Sequence, residues 1–173
     1  AWAATIQCPE KEGRKCEGTS GPDTMYGTGE DYVYGDWIDG HEGSDKIYGF
    51  GGDDKDNGGH GTGGLFGGRG DDLVRGGDGQ DEISGGKGSD RLYGGRGGDS
   101  ITGEGTFVNH TPRDLIVGGP GDDRLAARDG QKDRIYCGTG FDSVDADDAS
   151  KSWPDDSGDR DLVDDSCEEV HRY

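Results

Sequence analysis

A single apolar residue recurs every nine positions through the middle of this chain. From Gly67 to Thr102 the sequence divides into four consecutive blocks, GGRGDDLVR, GGDGQDEIS, GGKGSDRLY and GGRGGDSIT. Each has Gly at places one, two and four, Asp at place six and an apolar residue at place eight. The apolar residues are Val74, Ile83, Leu92 and Ile101, and the acids are Asp72, Asp81, Asp90 and Asp99. The last three places predict a very short strand whose middle side chain points inward and whose neighbours point outward. The glycines predict a turn with unusual φ/ψ and close backbone approach. Two blocks make one coil of eighteen residues with a turn on each edge. Asp72 then stacks with Asp90 on one edge, and Asp81 with Asp99 on the other.

The phase extends both ways, with departures. Gly18 opens the array, with Asp23 at the acidic place and Met25 inward. A shortened block follows with Asp31 and Val33, then a truncated turn with Asp36 and Ile38, then a regular block with Asp45 and Ile47. Two blocks break the rule. One keeps Asp54 but puts Asp56 at the inward place, and the next has Leu65 inward but Gly63 where the acid belongs. An inward Asp56 is costly unless paired or metal-bound, and a bulge that turns it outward is an equal alternative. Gly63 implies either a distorted coil or a gap in that edge. Residues 103–113 form an insertion loop, after which register resumes with Asp114 and Ile116, Asp123 and Leu125, Asp133 and Ile135, and Asp142 and Val144. One extra residue lies between Leu125 and Asp133. Asp161 and Val163 offer one more strand.

Composition sharpens this picture. The 173 residues fit one domain, with 27% hydrophobic residues, 38 glycines and a formal net charge of −20. Such a chain lacks an ordinary globular core and stays disordered without compensation. About ten divalent ions would cancel the charge, the scale at which metal decides folding. Nucleic acid is an unfavourable partner for a polyanion, and no apolar run reaches membrane-spanning length. Four cysteines suit two disulfides in an oxidising compartment. Without a Cys-x-x-Cys spacing, zinc is the poorer reading. Ala1-Trp2-Ala3 fits the remnant of a cleavage region.

Stacked carboxylates about 5 Å apart repel unless a cation lies between them. Oxygen-only ligands suit a hard cation with flexible coordination, which is calcium. The four histidines, His41, His60, His110 and His171, fall at no spacing that points to catalysis, and no GxSxG, HExxH or phosphate loop occurs. Tyr26, Tyr34, Tyr48, Phe66, Tyr93 and Tyr136 recur near the ninth place, as the outward cover of one or other sheet. Asp53, Asp71 and Asp122 precede an acidic place. They are either solvated charges or contributors to the field at their sites. Asn109-His110-Thr111 matches a glycosylation acceptor.

The nine-residue blocks resemble the calcium-binding nonapeptide of the RTX (hemolysin-type) family, over about Gly18 to Asp145. The resemblance implies an all-β fold, a right-handed parallel β-roll. It also implies Ca2+ ions, each between two successive turns on one edge, held by the sixth-place Asp and turn carbonyls. Carried over by position, the strongest ligands are Asp72, Asp81, Asp90 and Asp99, with the carbonyls of Gly68, Gly70, Gly77, Gly79, Gly86, Gly88, Gly95 and Gly97. Asp45, Asp54, Asp114, Asp123, Asp133 and Asp142 follow, as do Gly119 and Gly121. Asp23, Asp31 and Asp36 are the weaker members because their turns deviate. Residues 1–17 and 146–173 are expected as caps over the ends of the roll. Along a solenoid, Cys8–Cys16 with Cys137–Cys167 is the favoured pairing, since other pairings must span its length.

The expected protein is secreted, not an enzyme, and folds as it binds calcium. Its expected role is structural or adhesive, with a cell-surface or matrix partner or self-association. Alternatives are a non-catalytic module of a larger secreted enzyme or toxin, and, less favoured, an ice-binding or filament-forming protein. The residues from Asp161 to Tyr173 do not match the C-terminal export signal common in the family, which implies a different export route.

Overall fold

The computed structural model describes residues 3–9, 15–28, 35–103, 113–147 and 161–172. Asp31, Val33 and Tyr34, most of the insertion with its Asn109-His110-Thr111, and the acidic stretch 148–160 lie outside the described residues.

The chain winds into two parallel sheets that share one narrow interior. One holds β1 (Ala4–Gln7), β3 (Asp23–Tyr26), β5 (Lys46–Gly51), β7 (Gly64–Arg69), β9 (Glu82–Lys87), β11 (Ser100–Thr102), β13 (Arg124–Ala127), β15 (Ser143–Ala146) and β17 (Glu169–Arg172). The other holds β2 (Lys15–Glu17), β4 (Trp37–Asp39), β6 (Lys55–His60), β8 (Leu73–Asp78), β10 (Arg91–Arg96), β12 (Leu115–Pro120), β14 (Arg134–Thr139) and β16 (Leu162–Val163). Odd and even strands alternate between sheets, so successive strands lie across the interior and each pairs with the strand two further on. No helix occurs among the described residues.

Register places like on like. Val74 pairs with Leu92, and Leu92 with Ile116. In the facing sheet Leu65 pairs with Ile83, and Ile83 with Ile101. Met25, Ile38, Ile47, Leu65, Val74, Ile83, Leu92, Ile101, Ile116, Leu125, Ile135 and Val144 are all buried. The core is therefore two facing columns, each one side chain wide. Strands run longer than the three expected residues: β8 continues through Gly76 and Gly77 to Asp78. The glycines at places one and two carry the ladder on through place three, before the chain turns at place four.

Disulfides Cys8–Cys16 and Cys137–Cys167 close the two ends. Cys16 stands in the inward column below Ile38, so the first bridge covers the open end of the apolar column. Cys137 takes a first-glycine place, and its bridge ties Cys167 and the β17 segment to the last coils.

The two irregular blocks keep the coil regular. Gly63 precedes an ordinary β7, so its effect is a missing carboxylate and not a distortion. Asp56 is not turned out by a bulge. It pairs in register with Ile38 and Val74, is 1% exposed, and neither carboxylate oxygen has a hydrogen-bond partner. Burial, with Asp54, Asp72 and Asp36 nearby, drives its pKa well above the usual carboxylate value. The unbroken ladder on both sides leaves β6 no extra residue with which to bulge.

Outward aromatics divide between the sheets. Tyr26, Tyr48 and Phe66 stack along one, with centroids 5.4 and 5.1 Å apart, while Tyr93 and Tyr136 lie on the other. Phe50 stands beside Tyr26 and Tyr48 at φ 75°, in a second-glycine place.

Asp56→Val is expected to stabilise the calcium-loaded fold by about 1–3 kcal/mol, because it removes two unpaired buried acceptors. Thermal unfolding followed by circular dichroism measures it, and an unchanged or lowered midpoint counts against the account of Asp56.

Candidate metal centre

The turns at each edge are shaped around the sixth-place aspartates. Gly68, Gly70, Gly77, Gly79, Gly86, Gly88, Gly95, Gly97, Gly119 and Gly121 all have φ between 104° and 149°, a region that side chains rarely enter. Stacking adds a second demand. A Cβ on Gly88 would collide with the Gly70 carbonyl of the turn before it. A Cβ on first-place Gly67 would fall on Asp72 Oδ2. Glycine at place one thus leaves the cradle into which the aspartate folds back.

The aspartates form two ladders. On one edge the Asp36, Asp54, Asp72, Asp90, Asp114 and Asp133 N–H groups donate to Oδ1 of the next member, ending at Asp161, at 2.6–2.9 Å. On the other edge Asp23 donates to Asp45, and Asp81, Asp99 and Asp123 each donate to the next, as far as Asp142. Asp142 N–H then donates to Glu168 Oε2 at 2.9 Å, so Glu168 ends this ladder. Gly63 N–H still donates to Asp81 Oδ1 at 2.7 Å, but this rung has no carboxylate of its own to offer Asp45.

Oδ1 is satisfied and Oδ2 is not. Asp45, Asp54, Asp72, Asp81, Asp90, Asp99, Asp114, Asp123, Asp133 and Asp142 are each at most 3% exposed, and each has an Oδ2 with no hydrogen-bond partner. Burial is the first cause that raises their pKa values. Asp72 and Asp133 reach about 8, Asp54 and Asp114 about 7, and Asp90, Asp99 and Asp123 about 6. A buried anionic oxygen without a donor is what a cation corrects. The donor set is all oxygen, which fits a hard ion such as calcium.

The three weaker predicted ligands behave differently. Asp23 Oδ2 accepts from Thr19 N–H, and hydrogen bonds from Thr19 and Ala4 outweigh its burial and lower its pKa. Asp36 Oδ2 accepts from Thr28 N–H at 2.6 Å. Both occupy ladder places but keep their own turns closed without an ion, and Asp31 lies outside the described residues. Asp161 Oδ2 is likewise satisfied, by Asp147 N–H at 2.7 Å. Asp53 and Asp71 start an outer ladder of opposite polarity on one edge, and Asp122 makes the same kind of contact on the other. Asp53 Oδ1 accepts from Asp71 N–H, Asp71 Oδ1 from Ser89 N–H, and Asp122 Oδ1 from Phe141 N–H, at 2.8–2.9 Å. Their charges also raise the pKa of the inner aspartates.

Sequence reasoning did not assign Thr19, Thr28, Glu168 or Asp129. The first three fill ladder or turn places with unexpected residue types. Asp129 was signalled only by the extra residue in its turn. Of the histidines, His60 Nδ1 lies 3.1 Å from Asp78 Oδ2, and His171 Nδ1 lies 3.4 Å from Asp145 Oδ1, both on the surface.

A parallel β-solenoid with a ladder of buried, half-satisfied aspartates on each edge defines the class. Comparison with known families makes it specific. The RTX calcium-binding nonapeptide repeat matches in four copies, at residues 17–37, 34–64, 66–101 and 113–144, and the chain belongs to that family. No curated protein matches it.

Two outcomes follow. A carboxyl whose pKa rises on folding favours the folded state only while protonated. The metal-free chain should therefore gain order as pH falls from about 8 to about 5, and calcium should be needed most at the alkaline end. Circular dichroism in chelator across that range reads it, and order that instead declines toward pH 5 contradicts it. Gly63→Asp is expected to fill the gap between Asp45 and Asp81. Gly63 has no positive φ, and a Cβ there would lie 3.1 Å from Asp81 Oδ1 and from Leu65 Cδ1, within reach of small shifts. Calorimetric titration should then find about one more calcium per chain, and unchanged stoichiometry would show that the gap is not a lost site.

Proposed function

We propose that this is a secreted protein whose folding is coupled to binding several Ca2+ ions between stacked turns, and that the folded rod has a structural or adhesive role. The observation that carries the reading is the set of ten buried Oδ2 atoms without a donor, ranked along two edges. The ligands are Asp45, Asp54, Asp72, Asp81, Asp90, Asp99, Asp114, Asp123, Asp133 and Asp142, with glycine carbonyls of the flanking turns. Residues 1–17 and 146–173 serve as caps on a roll of residues 18–145.

Two disulfides support an oxidising compartment. Extracellular calcium modules bind at roughly 10⁻⁴–10⁻³ M, a level the cytosol does not supply. The chain would then be unfolded inside the cell, where its charge is unneutralised, and fold on export. A rod closed at both ends, with a regular outer surface, suits a scaffold.

Far-ultraviolet circular dichroism after chelation, then with millimolar calcium restored, tests the coupling. Little β signal without calcium and cooperative recovery with it are expected. A spectrum that is the same in chelator and in calcium would refute the coupling.

A further inference from the structure

One turn on the Asp114 edge is built unlike the others. Residues from Ala127 to Lys132 stand where a Gly-Gly-x-Gly turn belongs, with Ala127 and Arg128 at the first two places and one residue to spare. The ladder bond from Asp114 N–H to Asp133 Oδ1 therefore spans nineteen positions, where Asp72 to Asp90 spans eighteen. Third-place side chains elsewhere, at Arg69, Lys87, Arg96, Pro120 and Thr139, are exposed. The third-place side chain here, Asp129, is buried at 9% exposure.

Asp129 is turned back into the edge. Gln131 N–H donates to its Oδ1 at 2.8 Å. Asp129 forms a group with Asp114 and Asp133 in which one carboxylate oxygen from each lies within 4.8 Å of the other two. Asp114 and Asp133 are 2% and 0% exposed, and each has an Oδ2 without a partner. The fold thus brings a third negative charge to two that already lack a counter-charge. The carboxylate of Asp129 also raises the pKa of both.

We propose that Asp114, Asp129 and Asp133 form a distinct three-carboxylate site that binds calcium more tightly than the two-aspartate sites along the edges, and fills first. The inference rests on the calcium reading above. Its physical basis is that affinity at oxygen sites rises with the number of charged ligands. This turn has lost the Gly-Gly pair, and Asp129 supplies a charged oxygen in its place. Filling this site first would order the coil next to the Cys137–Cys167 end, from which neighbouring turns can propagate.

Calcium titration of the full chain, by calorimetry or competition with a chromophoric chelator, tests it. Wild type should show one site at least about tenfold tighter than the rest. Asp129→Asn keeps the acceptor for Gln131 N–H and removes only the charge. It should abolish the tight class and leave the weaker class unchanged. Asp78→Asn removes one charge from a turn on the opposite edge and should leave the tight class intact. An Asp129→Asn isotherm that matches Asp78→Asn, or a wild type with a single class of sites, overturns the inference. A wild type that takes up no calcium overturns the proposed function itself. Folding of each variant is read by circular dichroism in saturating calcium. If Asp129→Asn does not fold there, Asp129→Glu, which keeps the charge but displaces it, replaces it. Loss of the tight class alone then supports the site, and an unchanged isotherm overturns it.

Discussion

Parallel pairing sets each rung about 4.8 Å above the last, and in this chain it sets carboxylate above carboxylate. One oxygen of each aspartate caps the backbone of the preceding turn, which fixes its position. The other oxygen is left buried and unpaired in ten of them. Against that repulsion the interior is thin, because most strands give it a single large apolar side chain. Low hydrophobic content, abundant glycine and strong negative charge are therefore one design. The turns leave a buried carboxylate oxygen open, a place whose chemistry suits a hard cation.

The ends show the same economy. Neither end of a solenoid has a further coil to cover it. Here the first bridge sits on the apolar column through Cys16, and the second holds the segment that carries β17 against the last coils. Glu168 closes one acidic ladder and Asp161 the other. The two turns with threonine at the second place satisfy their aspartate internally, Thr19 for Asp23 and Thr28 for Asp36. The chain thus separates turns that close themselves from turns that leave an oxygen open.

Asp56 and Phe50 run against local preference. Asp56 stands in the apolar column because parallel register on both sides allows no slip. Phe50 holds a left-handed backbone beside a row of stacked rings, a strain the surrounding ladder sustains.

Much was legible in the residues alone. The nine-residue phase of Leu92 and Asp90 determined the coil length, the inward column, the stacked acids and the parallel sheets, since a repeat dictates identical neighbours. Even the disulfide pairing followed, because a rod keeps its ends apart. What the repeat could not reveal lay where it fails. Whether Asp56 turns in or out, whether Gly63 bends the coil, and where Asp129 points all depend on contacts made with the rungs above and below. Only tertiary structure decides these, because at a break in the pattern the neighbouring coils, and not the local sequence, set the register and the space left to fill.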